Sequence, residues 1–395
     1  MNKKSGRKKR KVFLLIIVTA ITAIVLIVET YAWFVGLSTV NTNSFNINVS
    51  SDSGLEVSLN GQYWVSGDSK LTISSSTIAS HTTCNNASCG YNGNTNSWPA
   101  GGLRPLSSSG RLDTTTGRLI FYEKSSLSAT SGGYRIVASQ VDNSSQEVDG
   151  YVAFDLFIRN GTGTSYTNSY ASGTAENVYL KKNPTATIDG GTGNHGAANS
   201  LRIGFFEIAG MKSNGASVSD IQGLSCSTTG TNKIKICPSG GSNNSSYWNV
   251  WEPNHDNHTS EVVSYFNSLC KKRNSDGSYS SAVCSQINTT STITTYSINR
   301  DISSSDNVDI YDGLNNFSGT IATSNAPLVT SNSYKSPTGN YTQSNQLLLL
   351  AGNSVTKVRV YIWLEGQDID NYDLITKNTN VKISFGLTKD RYEIG

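Results

Sequence analysis

Histidine is scarce in this chain. Four of 395 residues are His (His81, His195, His255 and His258), so a hydrolytic site would have few general bases to draw on. Neither a Gly-x-Ser-x-Gly elbow nor a phosphate-binding glycine loop with Lys occurs. Charge is sparse too, at 15% of residues, and no basic stripe interleaved with aromatics is present, which removes the electrostatic basis for binding nucleic acid. Only two Met stand against nineteen Tyr, in a chain rich in Ser, Thr, Asn and Gly. That composition fits many short strands joined by polar loops better than helices.

The formal charge of +3 misleads, because the cations are bunched at the start. Lys3, Lys4, Arg7, Lys8, Lys9, Arg10 and Lys11 precede an apolar run from Val12 to Val28. Removing those seven cations and Glu29 from the totals of 31 and 28 leaves 24 against 27, a net of −3 for the rest. A bilayer takes about 20 helical residues, so Val12–Val28 is marginal as a span. It is long beside the roughly 7 to 15 apolar residues of an ordinary signal peptide. Thr30-Tyr31-Ala32 places small residues where a signal peptidase would cut between Ala32 and Trp33. With the cations held in the cytoplasm, everything after the apolar run is exported. The expectation is a signal peptide or membrane anchor over residues 1–32, with Val12–Val28 in contact with the membrane at least during export.

Residues 33–395 read as one extracellular all-β domain with long loop insertions at about 74–117 and 210–345. In Ser44–Ser50, Phe45, Ile47 and Val49 alternate onto one face, and Leu55–Leu59 and Leu71–Ile73 continue the sheet. Strands follow at Arg118–Tyr122, Tyr134–Ala138, Asn177–Lys181 and Leu201–Ile208, the last apolar on both faces and therefore central. Tyr151–Arg159 carries Val152, Phe154, Leu156 and Ile158 on one face and reads as half-buried. In Lys357–Leu364, Val358, Val360, Ile362 and Leu364 alternate with Lys357, Arg359, Tyr361 and Trp363, and Val381–Leu387 alternates in the same way. One helix is expected, Ser260–Lys271, capped by Thr259. Strands at both ends with long decorated connections suggest a β-sandwich of jelly-roll type.

The six cysteines fall into three local pairs, Cys84 with Cys89, Cys226 with Cys237 and Cys270 with Cys284. In an exported chain these read as disulfides, each stabilising by at most about 3 kcal/mol for so short a loop. A zinc site shared by His81, Cys84 and Cys89 is the rival, but a fourth ligand is not evident. His255 and His258 are candidate metal ligands beside Glu252 and Asp256. A metalloprotease helix would instead set two His four apart. A polar turn over Tyr247, Trp248 and Trp251 explains the same residues. Asp368, Asp370 and Asp373 are candidate ligands for Ca²⁺, although their spacing departs from an EF-hand loop and acidic turns between strands are common. Otherwise no cofactor is expected. Trp98, Trp248 and Trp363 are candidates for stacking on sugars, or for the core.

Thr30-Tyr31-Ala32-Trp33-Phe34 followed by Asn43-Ser44-Phe45-Asn46-Ile47-Asn48-Val49 resembles the start of exported bacterial proteins with a SipW-dependent type of signal, the TasA and camelysin-like group. Trp363-Leu364-Glu365-Gly366-Gln367-Asp368 is similar to the ending of surface proteins of low-GC Gram-positive bacteria with such starts. The resemblance covers some 40 of 395 residues. It implies a jelly-roll surface protein, in some relatives assembled into matrix fibres, and carries no protease activity. The expected function is therefore non-enzymatic: a structural protein of the bacterial surface or its matrix. Phe45, Ile47 and Val49 would be the donor strand if copies self-associate into fibres, unless they pair within their own sheet. The alternatives are a membrane-anchored adhesin or glycan-binding module and, further off, a metal-dependent hydrolase.

Overall fold

Described in this computed structural model are residues 45–51, 54–67, 69–80, 97–99, 102–108, 118–130, 133–163, 165–166, 175–180, 185–189, 198–207, 210–224, 248–251, 258–269, 271–273, 279–282, 288–290, 308–312, 346–366, 370 and 380–391. The expected leader, with Val12–Val28, Ala32 and Trp33, lies outside them. So do all six cysteines and His81, His195, His255, Asp368 and Asp373.

The early strands are β1 (Phe45–Ser51), β2 (Leu55–Ser58), β3 (Val65–Ser66), β4 (Leu71–Ile73) and β5 (Pro105–Leu106). Next come β6 (Tyr122–Thr130), β7 (Gly133–Gln140), β8 (Val152–Asn160), β9 (Ala175–Leu180), β10 (Thr185–Asp189) and β11 (Leu201–Glu207). Short strands follow: β12 (Lys212–Ser213), β13 (Trp248–Trp251), β14 (Lys271–Arg273), β15 (Tyr279–Ala282) and β16 (Val308–Asp312). The chain ends on β17 (Gln346–Ala351), β18 (Ser354–Glu365) and β19 (Asn380–Arg391). The described helices are short: α1 (Ser75–Ser80), α2 (Val218–Gln222) and α3 (Ser260–Leu269). One helix was expected; α1 and α2 are too brief to show helical periodicity.

The protein is all-β, with two multi-stranded sheets. The first runs β17-β9-β19-β1-β4, with β10 also on β19; the second runs β13-β11-β18-β8-β2-β3, with β5 and β12 on β18. The inward side chains of the alternating strands form one hydrophobic cluster drawn from both sheets. It joins Ile47, Val49, Ile383 and Phe385 of the first to Phe154, Leu156, Phe205, Val360 and Ile362 of the second. Phe205 meets Phe385 edge to face at 5.3 Å. Each such aliphatic or aromatic side chain, fully buried, contributes about 1.5–3 kcal/mol.

The second sheet departs from expectation on its other face. The alternation of β8 predicts a half-buried strand, and that of β18 sets Lys357, Arg359, Tyr361 and Trp363 on one face, yet both strands are buried on both sides. Part of the cover, at Leu106, comes from the stretch expected to be loop. Leu106, Leu119, Phe121 and Val141 pack with Tyr151, Tyr361 and Trp363 into a second hydrophobic cluster. The strand expected at Arg118–Tyr122 starts only at Tyr122, and Leu119 and Phe121 lie ahead of it in this cover. Nearer the other end, Ile221 and Leu224 seal Phe157 and Val355.

Candidate functional site

Among the described residues, the outward face of β18 carries a dense cluster of charged and hydroxyl side chains. Strand alternation puts Lys357, Arg359, Tyr361 and Trp363 on one side, and antiparallel pairing sets Arg359 directly opposite Asp155 of β8. Arg359 and Lys357 are each 1% exposed and Asp155 2%. Arg359 donates from Nη1 to Asp155 Oδ1 at 3.0 Å and from Nη2 to Glu147 Oε1 at 3.0 Å. Tyr361 Oη donates to Glu147 Oε1 at 2.7 Å, and Tyr151 Oη donates to Glu147 Oε2 at 2.5 Å. Lys357 Nζ lies 3.8 Å from Asp155 Oδ2, within ion-pair range but beyond a hydrogen bond. Two cations and two carboxylates thus neutralise one another in a buried layer.

Burial sets the protonation tendencies here. It pushes the Lys357 ammonium below its usual pKa, against the pull of Asp155 and with help from neighbouring Arg359. Burial also pushes up the phenols of Tyr151 and Tyr361, and the adjacent Glu147 carboxylate adds to this, so both are neutral donors. Arg359 goes the other way: burial disfavours its charge, but Asp155, Tyr361 and Glu147 outweigh that and hold the guanidinium charged.

A second polar cluster bridges the two sheets. Lys389 Nζ of β19 donates to Glu176 Oε2 of β9 at 2.6 Å, to Asn160 Oδ1 at the end of β8 at 2.8 Å and to Thr162 Oγ1 at 2.6 Å. Gly54, at φ +85°, allows the close approach, since a Cβ there would sit 2.8 Å from Thr162 Cγ2 and 3.1 Å from Lys389 Nζ.

Two of the metal candidates meet. His258 Nδ1 and Asp370 Oδ2 are 2.6 Å apart and buried, and Asn199 Nδ2 donates to Asp370 Oδ1 at 3.3 Å. No group of three or more His, Cys, Asp or Glu fit to hold a metal is found among the described residues. The sugar-stacking candidates divide. Trp363 is 1% exposed inside the second cluster, so of its two expected roles it takes the core one and is unavailable to a ligand. Trp98 is partly buried against the shared core, and the Trp248 side chain lies outside the described residues. Trp64, not among the stacking candidates, holds the Arg159 guanidinium over its ring at 4.2 Å. Phe45, Ile47 and Val49 sit in β1, opposite Val381, Ile383 and Phe385 of β19, and so pair within their own sheet in this chain.

Sequence reasoning missed Asp155, Glu147 and Lys389 as partners. The available signal was two aromatics, Tyr361 and Trp363, on the same face of β18 as Lys357 and Arg359. The fold defines an all-β protein of two multi-stranded sheets. Compared with family models, with curated proteins and with solved structures, the chain matches none. Among the described residues no helix is long and apolar enough to cross a membrane.

Proposed function

We infer that this chain is a non-enzymatic structural protein of a bacterial surface or its extracellular matrix, exported by its N-terminal segment and built as a jelly-roll-like β-sandwich. Two sheets sharing one core support the sandwich. The basic cluster and the apolar run Val12–Val28 support export. The chemistry of the interior supports a scaffold, since Lys357, Arg359, Asp155 and Glu147 are sealed from solvent and spent on one another.

The position of β1 carries the reading. It is the first described strand after Trp33, and it pairs along its whole length, Phe45–Ser51, with the last described strand, β19. On its other side β4 covers only Ile47–Val49. A strand so placed, with Ile47 and Val49 fully buried, is the one that two copies could exchange. A neighbour's Phe45–Ser51 would satisfy the same register on β19 and link subunits into fibres.

The mature N-terminus, read by mass spectrometry of surface and medium fractions, tests export. A chain beginning at Trp33 is expected, and one retaining Val12–Val28 would replace fibre assembly with anchored display. Deleting Trp33–Ser50 from the secreted protein tests the strand. Filaments should vanish in electron micrographs; if they persist, strand exchange is refuted.

A further inference from the structure

Lys357 and Asp155 occupy neighbouring strands of the second sheet, β18 and β8, both side chains sealed beneath the cover. Lys357 Nζ stands 3.8 Å from Asp155 Oδ2, while the other carboxylate oxygen, Oδ1, accepts from Arg359 Nη1 at 3.0 Å. We propose that these two residues condense spontaneously in the folded protein into an amide that cross-links β8 to β18.

The step balances within the pair. One ammonium proton passes to the carboxylate, giving a neutral amine and a neutral acid. The Nζ lone pair attacks Asp155 Cγ, the Cγ–Oδ2 bond breaks, and Oδ2 departs as water carrying two of the three ammonium protons. No oxidant, reductant or co-reactant is needed. Arg359 touches the reacting carboxyl: its Nη1 donor is already aimed at Oδ1, where negative charge develops in the tetrahedral intermediate. Fixing amine and acid on adjacent strands removes the entropic cost of bringing them together. Burial favours the uncharged amine, the nucleophilic form.

The product also suits the site better than the reactants. Before condensation four buried charges share the layer, and each costs desolvation. Afterwards Lys357 and Asp155 are a neutral amide. Arg359 and Glu147 remain as a matched pair at 3.0 Å, and Arg359 Nη1 still has an oxygen to donate to.

The test is mass spectrometry of the full chain, purified folded, then denatured, reduced, alkylated and digested with trypsin. The expected result is a branched species joining the peptide that ends at Arg159 to the one that spans Lys357, lighter than their sum by one water, with no cleavage after Lys357. Lys357→Met and Asp155→Ala chains should each give unbranched peptides. Wild-type protein that is folded by circular dichroism yet cleaved after Lys357 and of full mass would overturn the proposal. So would a water loss confined to a single peptide. Because the decisive reading is on the unmutated chain, a variant that fails to fold leaves the test intact.

Discussion

Replacing Lys389 by Met keeps the aliphatic stem and deletes the ammonium that clasps the two sheets. The structure gives that ammonium contacts to Glu176, Asn160 and Thr162, all within 2.6–2.8 Å. A hydrogen bond to a charged group is worth about 1.5–3 kcal/mol, and three sharing one donor do not add, so a loss of about 2–4 kcal/mol is expected at pH 7. The loss should depend on pH, and its sign follows from Glu176. Burial disfavours ionisation of Glu176, but hydrogen bonds from Lys389, Thr162 and Asn160 outweigh it and hold its pKa below the usual Glu value. A carboxyl depressed in the folded state adds stability above its unfolded pKa and loses it as the pH falls through the folded one. The gap between wild type and Lys389→Met should therefore be widest at neutral pH and narrow below about pH 4. Urea unfolding followed by circular dichroism at both pH values measures it, as a shift in midpoint at unchanged slope. A cycle with Glu176→Gln should show coupling of about 1–3 kcal/mol. A pH-independent gap, or changes that simply add, would refute the clasp.

Two further substitutions probe the second sheet. Gly204→Ala places a Cβ 2.5 Å from Phe206 Cε2 and 3.3 Å from Trp363 Cζ3. It should cost about 1–3 kcal/mol, seen as a lower thermal midpoint. Tyr361→Phe removes a hydroxyl that donates to Glu147 at 2.7 Å and accepts from the Leu119 N–H at 3.2 Å. Leaving both buried partners short of a bond should cost about 1–3 kcal/mol in chemical denaturation.

The inward faces were legible in the sequence because period-two alternation is a local signal. Val358, Val360, Ile362 and Leu364 go where the pattern puts them, into the shared core. Helix α3 and its Thr259 cap were legible as well: Thr259 Oγ1 accepts from the Val262 N–H at 3.3 Å. The outward face was not, since alternation says that a face differs, not that water covers it. Its cover is assembled from Leu106, Leu119, Phe121 and Val141, and although Leu119 and Phe121 lie in a run that reads as a strand, nothing local says which sheet face that run covers. The His258–Asp370 pair was out of reach for another reason. Each belongs to a separate candidate group in the sequence, 112 positions apart, and only the tertiary fold brings them together.

Burying Arg359, Lys357, Asp155 and Glu147 in a chain so short of charge calls for an explanation other than stability. Apolar residues of the same volume would hold a layer like this at least as firmly. The charges do, however, fix register. Arg359 lies opposite Asp155, and a slip of one residue between β18 and β8 would turn Lys357 and Arg359 into the shared apolar core. A slip of two would set Arg359 against Phe157 or Ala153 and strand a carboxylate. The inner faces of these strands discriminate poorly between such registers, because Val358, Val360 and Ile362 are nearly interchangeable in shape. Specificity in the second sheet therefore resides on its covered outer face. An amide between Lys357 and Asp155 would make the same choice of register permanent.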